Sequence, residues 1–214
     1  MKTRGTIIRG IRTVDTVIFD MMGVLYDGGH FVSEQLLQKV SDALTVNELR
    51  HRYRRYAMGK ITREHFWHGL FDDWPEQEER MLAELQPKPG LDLVRELKGR
   101  YFLALITELP TDWAETLLKR AKLDTLFDAA IISGREGCTK PHPEIFQRLV
   151  DRLPKGGRRL YFDDQMENLA AASTFGIATA WVRNPGRRPD ADFTPDHVVT
   201  NLHEALVVVR RVLG

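Results

Sequence analysis

Five short runs of continuously apolar residues, each ended by polar or turn residues, constrain this chain more than any other feature. They are "VDTVIF" (14–19), "YFLALI" (101–106), "AAII" (129–132), "RLYF" (159–162) and "IATAWV" (177–182). A strand wetted on one face alternates apolar with polar residues, whereas an unbroken apolar run is covered on both faces. Helical patterns separate the later runs: "TDWAETLLKRAKL" (111–123), "PEIFQRLVDRL" (143–153) and "ENLAAASTF" (167–175). Asp112 with Glu115 three residues on reads as a capping box, and Pro143 suits a first helical position. This alternation predicts an α/β fold with a doubly wound parallel sheet. The 14–19 strand should lie between the 101–106 and 159–162 strands, with the site at their carboxyl ends.

Residues 31–85 depart from the alternation. "FVSEQLLQKVSDAL", "VNELRHRYRRYAMG", "TREHFWHGLFDDW" and "PEQEERMLAELQ" are amphipathic and helical in pattern. They read as a small α-helical domain inserted after the first strand. Its flanks, "DGGH" (27–30) and "QPKPG" (86–90), carry the glycines and prolines of hinges and linkers. The expected division is a core from residues 1–27 and 87–214, and an inserted helical domain from 28–86. The tail "RNPGRRPDADFTPDH" (183–197) reads as a loop before a closing helix near 201–212.

Lys+Arg number 31 against Asp+Glu 30, a net charge of +1, so nothing general points to nucleic acid or a membrane surface as partner. One cysteine, Cys138, rules out an internal disulfide, fits a reducing compartment and reads as structural. No apolar run reaches membrane-spanning length, and Arg9 and Arg12 break the apolar residues near the N-terminus. A cytoplasmic location is the expectation. The basic, aromatic "RHRYRRY" (50–56) invites a nucleic-acid reading, but a solvated helix face with tyrosines turned inward suits it better. If that segment is functional, Arg54, Arg55 or Lys60 would meet an anionic substrate. His65 and His68 read as surface residues.

The residues that follow the strands carry the chemistry. Asp20 follows the first run and Thr107 the second, Lys140 precedes the helix at 143, and Asp163 and Asp164 follow the fourth. A carboxylate, a hydroxyl, an ammonium and an acidic pair at one sheet edge are the parts phosphoryl transfer needs. They supply a nucleophile, a donor to phosphate oxygens, a fixed cation and acids for Mg²⁺.

"VIFDMMGVLYDG", "LALITELP", "GCTKPHPEIF" and "LYFDDQMENLAAASTFGI", in this order, resemble the four motifs of the haloacid dehalogenase superfamily of hydrolases. The resemblance is to the phosphatase-like branch with a helical cap after the first motif. It implies that Asp20 forms an aspartyl-phosphate, and that Thr107 and the amides after it hold phosphate oxygens. Lys140 would offset charge on the nucleophile and phosphoryl group. Mg²⁺ would sit on Asp20, Asp164 and the Met22 backbone carbonyl, with Asp163 supporting Lys140 or metal-bound water. Such hard oxygen ligands suit that ion. The substrate would be a small phosphorylated molecule touching Thr107, Glu108, Lys140 and Lys60.

Two positions depart from the pattern. Glu108 stands where the family has asparagine, and Met22 stands where phosphatases have the aspartate that protonates the leaving oxygen and then activates water. Three readings follow from Met22. The first, and the expectation, is a Mg²⁺-dependent phosphatase-like hydrolase favouring acyl, anhydride or aryl phosphates, whose leaving groups need little acid. The second is a dehalogenase, against which the pair Asp163–Asp164 argues. The third is a pseudoenzyme that binds a phosphorylated ligand without turnover.

Overall fold

The computed structural model describes residues 7–8, 11–28, 36, 40, 44–185 and 192–214. A short antiparallel ribbon, β1 (Ile7–Ile8) with β2 (Ile11–Arg12), comes first. The five apolar runs then form strands of one parallel sheet: β3 (Thr16–Phe19), β4 (Phe102–Thr107), β5 (Ala129–Ile132), β6 (Arg159–Asp163) and β7 (Ala178–Val182). A sixth strand, β8 (His197–Val199), completes the order β5-β4-β3-β6-β7-β8. As the pattern predicts, β3 lies between β4 and β6. Its register sets Phe19 beside Leu105 and Phe162, so the ends of the three strands are level. Asp20 N donates to Phe162 O (2.9 Å), carrying the ladder one residue past β3.

Alternate residues of each strand feed two apolar clusters, one on each side of the sheet. Val17, Phe19, Leu105 and Phe162 face one, and Ile18, Ala104, Ile106 and Tyr161 face the other. Helices α4 (Leu91–Glu96), α5 (Thr111–Arg120) and α9 (Leu202–Leu213) cover the first side. Helices α7 (Pro143–Arg152) and α8 (Met166–Ser173) cover the second, and the short α6 (Ser133–Glu136) follows β5. The apolar runs are therefore buried on both faces, which is why they do not alternate. Among the described residues no helix is long and apolar enough to cross a membrane.

The described part of the segment between β3 and β4 is helical, with α1 (Val46–Ala57), α2 (Arg63–Trp67) and α3 (Trp74–Glu84). The helix expected within 31–44 lies largely outside the described residues. Tyr53 and Tyr56 turn inward, and Tyr56 stacks on Phe66 at 4.7 Å and meets the edge of Trp113 of α5 at 5.6 Å. Beneath these rings the buried Glu78 accepts hydrogen bonds from Trp67 Nε1 (2.8 Å) and Trp113 Nε1 (2.5 Å) and pairs with Arg63. Glu78→Ala is expected to lower stability by about 2–4 kcal/mol, because each orphaned indole N–H loses roughly 1–3 kcal/mol. A denaturant midpoint unchanged by the substitution would show that the carboxylate does not hold α3 to α5.

Pro143 does open α7, but the capping box expected at Asp112 does not form. Asp112 lies inside the first turn of α5, where Oδ1 accepts Trp113 N (3.1 Å) and Oδ2 accepts the Tyr56 hydroxyl (2.6 Å). A capping box is found instead at α1, between Thr45 and Glu48. The stretch read as loop to residue 197 gives way to β8, too short to leave a period in sequence.

Candidate functional site

The turn after β3 sets the site. Leu25 N and Tyr26 N both donate to Met21 O (2.9 Å each), and Gly23 N donates to Tyr26 O (2.7 Å). Gly23 has φ +82°, and a Cβ there would lie 2.6 Å from the Asp164 carboxyl group. Only glycine lets the turn adopt this conformation and lets Asp164 come so close. The Gly23 carbonyl accepts Lys88 Nζ (2.8 Å) and Asn184 Nδ2 (2.8 Å), and the same Asn184 nitrogen lies 3.4 Å from Asp164 Oδ2.

Lys140 links the strands. Its buried Nζ donates to Asp20 Oδ1 (2.7 Å), Asp163 Oδ2 (2.7 Å) and the Tyr161 hydroxyl (3.1 Å), which uses all three ammonium donors. Asp163 also accepts Gln165 N (2.8 Å), Asn168 Nδ2 (3.2 Å to each oxygen) and the Tyr161 hydroxyl. Its oxygens are thus committed to holding the site together.

Asp20, Asp163 and Asp164 are buried, with one carboxylate oxygen from each within 4.8 Å of the other two. Burial pushes the Asp20 pKa well above the usual carboxylate range; Lys140 opposes the shift, and the two other acids add to it. For Lys140, burial disfavours the charged form, but Asp163 and Asp20 outweigh it and raise its pKa well above the usual value. Three carboxylates against one ammonium leave an excess of negative charge, and the donors are hard oxygens. This set fits a divalent cation such as Mg²⁺. Because Asp163 is saturated by protein donors, Asp20 and Asp164 are the acids suited to bind it.

At the end of β4 the Thr107 hydroxyl is buried with no hydrogen-bond partner among the described residues. Glu108, next along, is half-buried and accepts the Thr139 hydroxyl (2.9 Å). Burial raises the Glu108 pKa, and Lys140 opposes the shift. A cavity of about 410 Å³ opens beside it, lined by Arg50, His51, Tyr53, Arg54, Ala57, Glu108 and Thr139. Met22 is half-buried and packs on the larger apolar cluster. Lys60 is exposed past the end of α1.

The structure therefore gathers Asp20, Lys140, Asp163 and Asp164, with Thr107 and Glu108 at the neighbouring strand end. Of the cations the sequence suggested, Arg54 lines this cavity, together with Arg50, whereas Arg55 and Lys60 do not. Sequence reasoning missed Tyr161, Asn168, Asn184, Lys88 and Tyr53. Asn168 had a weak signal, five residues after Asp163 on the helix that follows β6; Lys88 and Asn184 had none.

A doubly wound α/β sheet with polar and charged groups gathered at its carboxyl edge defines a Rossmann-like protein with an enzyme-type site. Residues 14–176 match the haloacid dehalogenase-like hydrolase family, and the chain belongs to it. It is 31% identical over 144 residues to a glyceraldehyde 3-phosphate phosphatase of Pyrococcus furiosus, covering 61% of this chain and 57% of that protein. It is 28% identical over 106 residues to (S)-2-haloacid dehalogenase 4A of Burkholderia cepacia, covering 49% and 46%. The chain thus spans about half the length of these curated relatives. A family enzyme of Bacteroides thetaiotaomicron, solved as an aspartate-to-alanine mutant with magnesium and inorganic phosphate, superposes with a TM-score of 0.65. That match has 19% identity and covers 85% of this chain and 100% of that one.

Proposed function

We propose that this chain hydrolyses a small phosphorylated molecule through an aspartyl-phosphate on Asp20, with Mg²⁺ held by Asp20, Asp164 and the Met22 carbonyl. The observation that carries the reading is Lys140, whose ammonium bonds Asp20 and Asp163 across adjacent strand ends. The Asp20 oxygen not held by Lys140 attacks phosphorus, and the leaving oxygen departs with its bonding pair. Lys140 fixes Asp20 and offsets charge on the phosphoryl group, and the Thr107 hydroxyl donates to a phosphoryl oxygen. Water then cleaves the aspartyl-phosphate slowly, since position 22 offers no base; the water's oxygen and protons leave on the released phosphate and Asp20 is restored as the carboxylate. Bound Mg²⁺ would supply further stabilisation of the phosphoryl charge. Residues 28–86 act as the cap, hinged at their Gly- and Pro-rich flanks and closing over Asp20.

The phosphatase relative supports a phosphorylated substrate, and the paired acids Asp163–Asp164 weigh against the dehalogenase alternative. With methionine at position 22 there is no acid for an alkoxide leaving group, so acyl, anhydride and aryl phosphates are the favoured substrates. A second reading is binding without turnover, and one observation favours it: Met22 packs on an apolar cluster instead of offering a proton.

Phosphate release in Mg²⁺ across acyl, anhydride, aryl and alkyl phosphates tests the reading, with acyl phosphates expected to lead. Asp164→Ala is expected to remove Mg²⁺-dependent thermal stabilisation and with it the activity. A Mg²⁺ titration unchanged in that variant counts decisively against the metal assignment.

A further inference from the structure

We infer that Arg50 and Arg54, with Tyr53 between them, form a subsite for a second anionic group on the substrate, distant from its reacting phosphoryl group. The inference rests on the phosphoryl-transfer reading and names the class of substrate for that site. Residues 50, 53, 54 and 57 follow helical i, i+3, i+4, i+7 spacing, so they share one face of α1. That face is the wall of the cavity of about 410 Å³, whose opposite wall is Glu108 and Thr139. Glu108 follows Thr107, and Thr139 precedes Lys140, so this wall is built by the immediate chain neighbours of the phosphate-end residues.

Tyr53 connects the two ends. Burial raises its hydroxyl pKa, and the charges of Glu108 and then Asp20 raise it further, so the hydroxyl lies within the field of both. Its ring is fixed against Phe66 (6.2 Å) and Trp113 (5.8 Å). A substrate whose phosphoryl group sits on Asp20 would extend its other end past Tyr53 into this cavity, whose volume is usual for small-molecule sites.

The other reading of the arginines is a solvated helix face, and the neighbours on α1 discriminate. Arg52 is engaged by the His65 and His68 carbonyls, and Arg55 lines neither this cavity nor the one beside it. Among the described residues, Arg50 and Arg54 have no carboxylate within ion-pair distance, although Glu108 shares their cavity. Two guanidiniums against the single carboxylate of Glu108 leave the cavity lining with an excess of positive charge. Guanidinium pairs bind carboxylate or phosphate in bidentate fashion.

Calorimetric titration of the whole protein in Mg²⁺ tests this with three alkyl phosphates: ethyl phosphate, 2-carboxyethyl phosphate and 1,3-propanediol bisphosphate. At least one doubly anionic ligand is expected to bind about tenfold or more tightly than ethyl phosphate, and the larger gain tells carboxylate from phosphate. The Arg50→Gln/Arg54→Gln variant should bring that ratio to about one, while Arg211→Gln, on the exposed face of α9, should keep it. Ethyl phosphate binding with no gain from the second anion, or a gain kept by the double variant, overturns the subsite alone. Failure of all three phosphates to bind overturns the phosphoryl-transfer reading, and the subsite with it.

Discussion

Met22→Asp is expected to raise hydrolysis of alkyl phosphates by about 10²–10⁴-fold, the usual contribution of a positioned general acid–base. In this chain the group two residues past Asp20 is a thioether, which neither protonates an alkoxide nor takes a proton from water. Good leaving groups should therefore transfer phosphate to Asp20 far better than alkyl phosphates do, and the adduct should persist. A phosphorylated peptide spanning Asp20 after incubation with an acyl phosphate is the direct readout. Asp20→Asn should remove both the adduct and the activity of the restored enzyme. Met22 is half-buried against apolar side chains, so the variant must first be shown to fold and to bind Mg²⁺. If it does so and still hydrolyses no phosphate ester, Glu108 or the segment between β3 and β4 has diverged as well, and binding without turnover is the function.

The second large effect is at Lys140. Lys140→Met removes the ammonium that bonds Asp20 and Asp163 and leaves three carboxylates with oxygens within 4.8 Å. Breaking a buried ion pair by deleting one partner costs about 3–5 kcal/mol, because the remaining charge keeps its desolvation cost. Burial already raises the Asp20 pKa, and Lys140 is the largest influence opposing it, so the variant raises that pKa further. A carboxyl group with a raised folded-state pKa costs no stability below the unfolded pKa and progressively more as pH rises through the folded one. The deficit should thus be large near pH 8 and shrink toward pH 4, and Mg²⁺ should partly offset it. Denaturant melts at several pH values measure this. An equal deficit at every pH would mean that lost packing, rather than uncompensated charge, is the cause. Adduct formation at Asp20 should also be lost.

Most of the sheet could be read from the chain because its signals are local. A strand buried on both faces writes an unbroken apolar run, and the residue that ends the run stands at the sheet edge. Asp20, Thr107 and Asp164 were legible for that reason, and Lys140 from its place before Pro141 and the α7 helix. Where a residue's partner lay far away, local reading failed. Asp112 has the spacing of a cap, yet it takes the Tyr56 hydroxyl from a helix 56 positions earlier in the chain.

Composition and periodicity by themselves determined the parallel α/β sheet, the helical character of the described residues between its β3 and β4 strands, and the residue types at its carboxyl edge. These follow from backbone geometry and burial, which repeat every two or 3.6 residues. Only the tertiary structure decided that Lys140 spans Asp20 and Asp163, 120 and 23 positions away, and that Asn184, 161 positions from Gly23, holds its carbonyl. It alone set the exposed Arg50 and Arg54, with Tyr53, on the wall of one cavity with Glu108. Such pairings have no period: those of Lys140 and Asn184 depend on how the strands align, and the place of α1 depends on packing such as Tyr56 on Trp113 and the Trp113 bond to Glu78.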